Sequence, residues 1–525
     1  MRLILDKIIA FLLVTIAITG CSKSFLDRPP LSQISADNFY QTTGDLRLAT
    51  AALYAGTPWA DWNYTCYLPV GEVLSGNMAV GYWGDAVQLN TFTVTGLNGI
   101  MISNWKGMYN IIAHCNVTIN AIAQKAPASI TDKDKNAAIA EARFIRGFAY
   151  YNLAVLWGAV PVIEDNSQLI VSPLINRIKT EDVYKFAIND LAFAAANLPS
   201  ADAAGRVTTW SAQGMLSKVY LTVAGLNQQG GTRNQAYLDS AKKYAGNVCK
   251  NSGRALVNNY ADLFKTQFND NPESLFALQW APGGGWLEGN MLQIYSPGGV
   301  EISANGSAGW FAISPTIDMY QLYKAKDSVR RKATFMINGD YYPELNAAGG
   351  GFKYTGSSGL KKHIIGTNKD NSAPTMTLTS STEHNALLRL ADVYLIYAEA
   401  ILGNSGSTAD GEALHYFNEV RTRAGMAPAP RIDIDSVIIE RRIELAGEGQ
   451  YWIDLVRLSY YNPVKAIGKL NGERRAPFTI SNGVITPGDP YGIVTPATIQ
   501  SFTFPIPSSE VTANPKLLEA PVSYY

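Results

Sequence analysis

Residues 136–158 read NAAIAEARFIRGFAYYNLAVLWG, a helical apolar stretch that stops at Gly158, with Pro161 just beyond. Glycine past the last turn and proline soon after form a stop signal: glycine accepts a left-handed backbone, and proline cannot extend the hydrogen-bond ladder. Arg143 and Arg146 lie inside this apolar stretch. Guanidiniums in such surroundings are expected to pair with carboxylates, because an unpaired buried charge is too costly. The small and aromatic positions recur, with Ala142, Tyr150 and Ala154 matched 70 residues later by Ala212, Tyr220 and Ala224. That shift is about twice the ~34-residue period of tetratricopeptide units, whose paired helices stack through such positions.

Working outward, apolar residues at three- and four-residue steps predict helices over Thr43–Gly56, Asn104–Ala123, Thr180–Leu198, Trp210–Gly225 and Gln235–Asn251. Thr180 is placed to cap the third of these. A further helix is predicted over His384–Gly403, with Arg389, Tyr394 and Tyr397 standing as Arg143, Phe148 and Tyr151 do. Its partner is Asp410–Ala424, and Asp435–Ser459 is the last long helix. Two regions differ in character: Trp59–Ser103, and the stretch from about Asn258 to Thr382. Both are rich in Gly, Asn, Ser, Tyr and Trp, with short β-like pieces such as Ser274–Gln279. The resulting layout is a helical part over 36–257 with a loop insertion at 59–103, an irregular part over 258–382 and a second helical part over 383–525.

The first 20 residues have the pattern of a secretory signal: Arg2 and Lys7 precede the apolar run Ile8–Ile18, which is too short to span a bilayer. Ile18-Thr19-Gly20-Cys21 then reads as a bacterial lipobox, in which Cys21 is acylated and begins the mature chain. The alternative is an ordinary signal with an incidental cysteine. Residues 21–35, with Pro29-Pro30, read as an extended tether. Acyl chains contribute about 0.8 kcal/mol per buried methylene, enough when several are present to hold a soluble body at a membrane surface.

Lys+Arg and Asp+Glu both number 43, so no long-range field attracts polyanions and nucleic acid is not an expected partner. Cys66, Cys115 and Cys249 are widely spaced, which favours three buried free thiols over a disulfide framework, although one bridge stays open. None of the four histidines sits in a zinc-like spacing, and His114-Cys115, being adjacent on a helix, point apart. Neither a metal nor a cofactor is expected. No GxSxG, Walker loop, GxGxxG or HExxH is present, so the common hydrolase, kinase and dehydrogenase signatures are missing.

Seven segments in order, CSKSFLDRPP, FYQTTGDLRLATAALY, AEARFIRGFAYYNLAVLWGAVPVI, LLRLADVYLIYAEAI, FNEVRTRAGM, ERRIELAGEGQYWIDLVRL and FPIPSSEVTANPKL, together resemble the SusD/RagB family over essentially the whole mature chain. The resemblance implies a mainly α fold: a right-handed, tetratricopeptide-like superhelix of about four helix pairs, with an irregular, loop-rich second half containing short β-strands packed against it. It also implies a lipoprotein on the outer face of the outer membrane that lids a TonB-dependent transporter. Such proteins deliver oligosaccharides or, in some members, peptides. Gly447 and Tyr451 depart from the family pattern, which bears on local packing only.

Sugar recognition needs flat apolar rings for the C–H faces and a few amides, carboxylates or guanidiniums for the hydroxyls. The best cluster is GNMAVGYWGDAVQL, where Tyr82 and Trp83 sit between glycines with Asn77 and Asp85 close by. The resemblance places the corresponding family segment at the ligand surface. The competing reading is that both rings plug the superhelix. Trp286, Tyr295 and Trp310 are further candidates from the later irregular region. Trp157, Trp210 and Trp452 lie at helical spacing and are assigned to packing, while Trp59 and Trp62 stay open between core and transporter contact.

Glu440, Arg441, Arg442 and Glu444 are expected to tie the C-terminal helix to its neighbours by ion pairs rather than to catalyse. A glycan-binding role without turnover is the leading expectation. A peptide-binding member of the same family and a helical glycoside hydrolase, which needs only two carboxylates, are the rivals.

Overall fold

A computed structural model of the chain describes residues 39–525 apart from 55, 57, 82, 229, 282, 284–288, 298–308, 310–312 and 372–374. The expected signal, Cys21 and the expected tether lie outside the described residues. The body is mainly helical. Its labelled helices are α1 (Thr43–Ala51), α2 (Ala60–Thr65), α3 (Gly84–Thr91), α4 (Gly99–Lys125), α5 (Asp132–Trp157), α6 (Thr180–Asn197), α7 (Thr209–Val223) and α8 (Gln235–Asn251). They continue with α9 (Leu390–Leu402), α10 (Gly411–Arg423), α11 (Ile434–Glu444), α12 (Tyr451–Ser459) and α13 (Pro463–Asn471).

Helix α5 starts four residues before the apolar period because Thr131 caps it, accepting a hydrogen bond from Asp134 N–H, while Asp132 and Asp134 meet the positive end of the helix dipole. It ends as predicted at Gly158, whose φ of 66° few other residues tolerate and whose N–H bonds to the carbonyl of Ala154. From α4 to α9 each helix packs on the next, and α9 packs on α10 and α11, giving a tetratricopeptide-like superhelix. Close approach relies on small residues: a Cβ on Gly147 would lie 3.0 Å from Leu191 Cγ on α6. The irregular region enters the chain between α8 and α9, so a helix pair of the stack is completed by segments far apart in sequence.

Four features differ from the sequence reading. Thr180 is the first helical residue, not the cap; Lys179 holds the cap position and the Thr180 hydroxyl lies against Gly158. His384–Gly403 is not one helix. Residues Ala386–Arg389 form a strand, β4, antiparallel to β2 (Ser274–Ala277), and the helix begins only at Leu390. The extended backbone at Arg389 lets its guanidinium reach Glu273 at 2.6 Å, Glu444 at 2.7 Å and Glu448 at 2.7 Å. Arg389 therefore has no structural equivalence to Arg143 within α5.

The span Asp435–Ser459 breaks into α11 and α12 at Leu445–Gln450, where Gly447 and Gly449 take φ of 79° and 70°. The insertion 59–103 is itself largely helical, holding α2, a π-turn at Pro69–Val73, α3 and the start of α4. Trp59 and Trp62 belong to its core.

The ion pairs fall where the sequence placed them. Arg143 and Arg146 both reach Asp190 of α6, at 2.6 and 2.7 Å. Arg441 joins Asp392 of α9 at 2.6 Å and Asp454 of α12 at 2.9 Å, Arg442 joins Glu473 at 2.6 Å, and Glu440 meets Arg330 at 2.7 Å. Glu444 collects Arg389, Arg423 and Arg330, which fastens the irregular half onto the helices. Cys66 and Cys115 are buried free thiols and Cys249 is a partly buried one. No described helix is long and apolar enough to cross a membrane.

Candidate binding site

The segment that carries the candidate rings leaves a short ribbon. Strand β1 (Met78–Val80) pairs antiparallel with β3 (Ile313–Pro315), Val80 opposite Ile313. Antiparallel register puts the chain leaving β1 at Gly81 and the chain entering β3 at one end of the ribbon. Of the sequence candidates, Trp83 follows this end of β1 by three residues. Tyr82, Trp310 and Trp286 themselves lie outside the described residues.

Trp83 is the N-terminal flanking residue of α3, extended at φ −74° and ψ 105°, with its half-buried ring packed against the main core. Asp85 lies in the first turn of α3 and is half-buried. A Cβ on Gly99 would meet its Oδ2 at 2.7 Å, so the carboxylate sits over the start of α4 as well as in the first turn of α3. Two positive helix ends favour a negative charge there.

The far end of α3 is held by Arg475. Its guanidinium donates to the carbonyls of Val73 at 3.2 Å, Leu74 at 3.0 Å and Asn90 at 3.4 Å, and lies 4.2 Å above the ring of Phe92. Burial pushes its pKa down to about 10 despite the attraction of Glu473. The carbonyls it bonds end the π-turn and α3, where a cation complements the dipole.

Two sequence candidates are fully buried. Asn77 is fully buried; its Nδ2 donates to Glu72 Oε2 at 2.8 Å and its Oδ1 accepts from Arg442 Nε at 2.6 Å. Both ends of the amide are used inside the protein, so Asn77 braces the ribbon from below. Burial raises the pKa of its partner Glu72 against the hydrogen bond from Asn77 and those from the backbone of Gly447 and Gly449. Tyr295 is likewise fully buried, with its hydroxyl donated to the carbonyl of Tyr64 at 2.6 Å. Neither offers a ligand a face. Tyr64, partly buried with its ring 6.4 Å from that of Tyr295, stands next to the fully buried Asn63 in the aromatic-rich run DWNYTCY.

Gly283 and Asn290 are both tied to the stretch around Ser380 and Ser381. Gly283 N–H donates to Ser380 Oγ at 3.1 Å, and Ser381 N–H donates to the carbonyl of Asn290 at 2.9 Å. Among the described residues no group of three or more His, Cys, Asp or Glu could hold a metal ion.

The described body is a stack of helices joined by short two-stranded ribbons. Residues 272–524 match the SusD family, and residues 53–221 match a group described as starch-binding associating with outer membrane. The chain is 36% identical to a SusD-like protein of Bacteroides ovatus, across 99% of this chain and 98% of that one. A crystal structure solved with a xylogluco-oligosaccharide superposes with a TM-score of 0.84 at 37% identity, covering 91% of this chain and 99% of that one. A laminarin-binding SusD-like protein shares the fold, with a TM-score of 0.67 at 22% identity over 90% of this chain and 98% of the other. This chain belongs to the SusD family.

Proposed function

We propose that the protein is a surface lipoprotein that captures oligosaccharides and delivers them to a partner TonB-dependent outer-membrane transporter, without chemical turnover. The observation that carries the reading is the near-complete likeness to a structure solved with a xylogluco-oligosaccharide. The half-buried ring of Trp83, three residues past β1, supports it. In this reading Tyr82, Trp83, Trp286 and Trp310 supply the ring faces, with Asp85 nearby, and Asn77 and Tyr295 support them from within. Acylation of Cys21 anchors the body to the outer membrane.

Calorimetry of the mature protein against xylogluco-oligosaccharides, other neutral glycans and peptides tests the ligand class. Binding to one glycan class, with no release of reducing sugar over hours, is the expected result. Binding to peptides alone would move the protein to the peptide-capturing reading. Reducing-sugar release would replace capture by hydrolysis. Mass spectrometry of the native protein is expected to show a lipid-modified Cys21.

A further inference from the structure

We infer that the groove between the α6–α7 connection and β2 is a second ligand site, in which Arg254 grips the carboxylate of an acidic sugar whose ring lies on Trp210. The groove shares no residue with the candidate site described above, and the inference does not rest on the proposed function.

A volume of about 320 Å³ puts the groove at the lower end of small-molecule pockets, room for a short saccharide and not for a folded partner. Three pieces of chain build it. The connection 200–206 between α6 and α7 passes along one side, where Gly205 takes φ of 82° and a Cβ would lie 2.3 Å from Gln279 Oε1. Trp210 follows in the first turn of α7. Past the end of α8, Gly253 takes φ of 67°, and the next residue, Arg254, reaches the chain at β2.

One nitrogen fixes the Arg254 guanidinium: Nη1 donates to the carbonyls of Pro272 at 3.1 Å and Ser274 at 2.7 Å. The edge formed by Nε and Nη2 has no acceptor among the described residues. That edge carries two parallel N–H groups, the pair with which arginine takes a carboxylate in a bidentate grip. Arg254 is half-buried, and burial lowers its pKa with no carboxylate to oppose the shift. A ligand anion would supply the missing counter-charge.

The other charged groups that line the groove are already engaged. Arg206 Nη1 donates to Glu141 Oε2 at 2.7 Å, and its Nη2 donates to the carbonyl of Arg47 at 2.7 Å. Asp202 is held by both terminal nitrogens of Arg47, at 2.7 and 2.6 Å. Asp270 accepts from Gln279 Nε2 at 2.9 Å and lies 3.2 Å from His384 Nδ1. Arg254 is thus the one lining cation with an open face.

The neutral lining argues for a sugar rather than a bare anion. Trp210 packs part of its half-buried ring on the core, and its Nε1–H has no acceptor among the described residues. The hydroxyls of Ser200 and Ser252 line the same groove. A flat ring face, an indole donor and hydroxyls beside a fixed guanidinium match the C–H face, hydroxyls and carboxylate of an acidic sugar.

The test is calorimetry of the mature protein against digalacturonate, its methyl ester and acetate, together with the indole N–H resonance of Trp210, assigned with Trp210→Phe. Digalacturonate is expected to bind and to move that resonance, while the ester, with the same rings and no charge, binds at least about tenfold more weakly. Acetate should leave the resonance in place. Arg254→Lys keeps the charge but loses the parallel pair and should weaken binding by about tenfold, and Arg254→Gln should abolish it. If Arg254→Gln does not fold, the comparison of acid with ester on the wild type and the Arg254→Lys protein still decide.

Equal binding of acid and ester overturns the role of the carboxylate. No binding of digalacturonate, an unmoved Trp210 resonance, or undiminished affinity in Arg254→Lys overturns the site. A response to acetate as strong as that to digalacturonate overturns the sugar.

Discussion

The Nδ1 of His363 lies 2.9 Å from Oε1 of Glu383, and its Nε2 lies 2.9 Å from the carbonyl oxygen of Gly447. With Glu383 ionised, both neighbours accept at this contact, and the enclosed ring satisfies both as the doubly protonated imidazolium. Burial pulls its pKa down, but the charge of Glu383 and the hydrogen bonds to Glu383 and Gly447 outweigh it, against opposition from Lys362, and the net shift is upward. A folded pKa above the unfolded one stabilises fully below about pH 6.5 and loses that contribution as pH rises through the raised value. Thermal melts across neutral to alkaline pH are expected to show a falling Tm that His363→Gln flattens. An unchanged slope in the variant would assign the alkaline loss to another group.

On the acid side the sign reverses. Glu444 is buried, which alone would raise its pKa, but Arg423, Arg389 and Arg330 hold it down to about 2. Stability from a depressed carboxylate is present above its ordinary value of about 4.3 and drains as pH falls toward the folded value. Glu444→Gln leaves these guanidiniums partly uncompensated and is expected to destabilise by about 3–5 kcal/mol at neutral pH. The difference from wild type should shrink between about pH 4.3 and 2, read by urea titrations at each pH. A gap that stays constant through that window would show that the carboxylate charge is not what the site uses.

The stacking helices α4 to α8 were legible because each is long enough to repeat apolar residues at three- and four-residue steps through several turns. Helices α2 and α3 were not, since short elements buried on most sides carry no such period. Residues Ala386–Arg389 continue the apolar pattern of α9, and only the open edge of β2, distant in sequence, turns them into a strand. The break at Leu445–Gln450 had its signal in Gly447 and Gly449, which outweigh an otherwise helical run. At the site, residue type pointed to the Trp83 loop, but type alone does not tell an amide facing ligand from one spent internally. The role of Asn77 was decided by a partner hundreds of residues away, Arg442.

The contact between the π-turn and the α11–α12 break predicts a sharp asymmetry between two glycines. A Cβ on Gly71 would lie 2.2 Å from Cα and 2.7 Å from C of Gly449, backbone atoms with no freedom to withdraw. Gly71→Ala is expected to destabilise by about 2–4 kcal/mol in chemical denaturation. Gly468, inside α13, provides the contrast, because a Cβ added there would have no neighbour within 4 Å. Gly468→Ala should stabilise by about 0.4–1 kcal/mol, because alanine restricts the unfolded chain and suits a helix. Equal effects at the two positions would mean that the Gly71–Gly449 approach is loose enough to admit a methyl group.

The two neighbours at the head of α3 are expected to play separate parts. Trp83 presents a half-buried ring beside the shared end of the β1–β3 ribbon, while the Asp85 carboxylate lies over the start of α4. Trp83→Ala is expected to lower affinity for a xylogluco-oligosaccharide by about 1–3 kcal/mol, the cost of losing an aromatic anchor. Because the ring also packs on the core, Tm must be followed alongside, and Trp83→Phe should recover stability more fully than affinity. Asp85→Asn removes a charge from two positive helix ends and should cost about 0.3–1 kcal/mol of stability with affinity unchanged. A loss of affinity in Asp85→Asn at undiminished stability would instead make the carboxylate a hydroxyl acceptor for the sugar. A Trp83→Ala protein that stays folded and binds as tightly as wild type would leave the ring as a plug in the helical face, and the ligand surface would then have to be sought away from this ribbon.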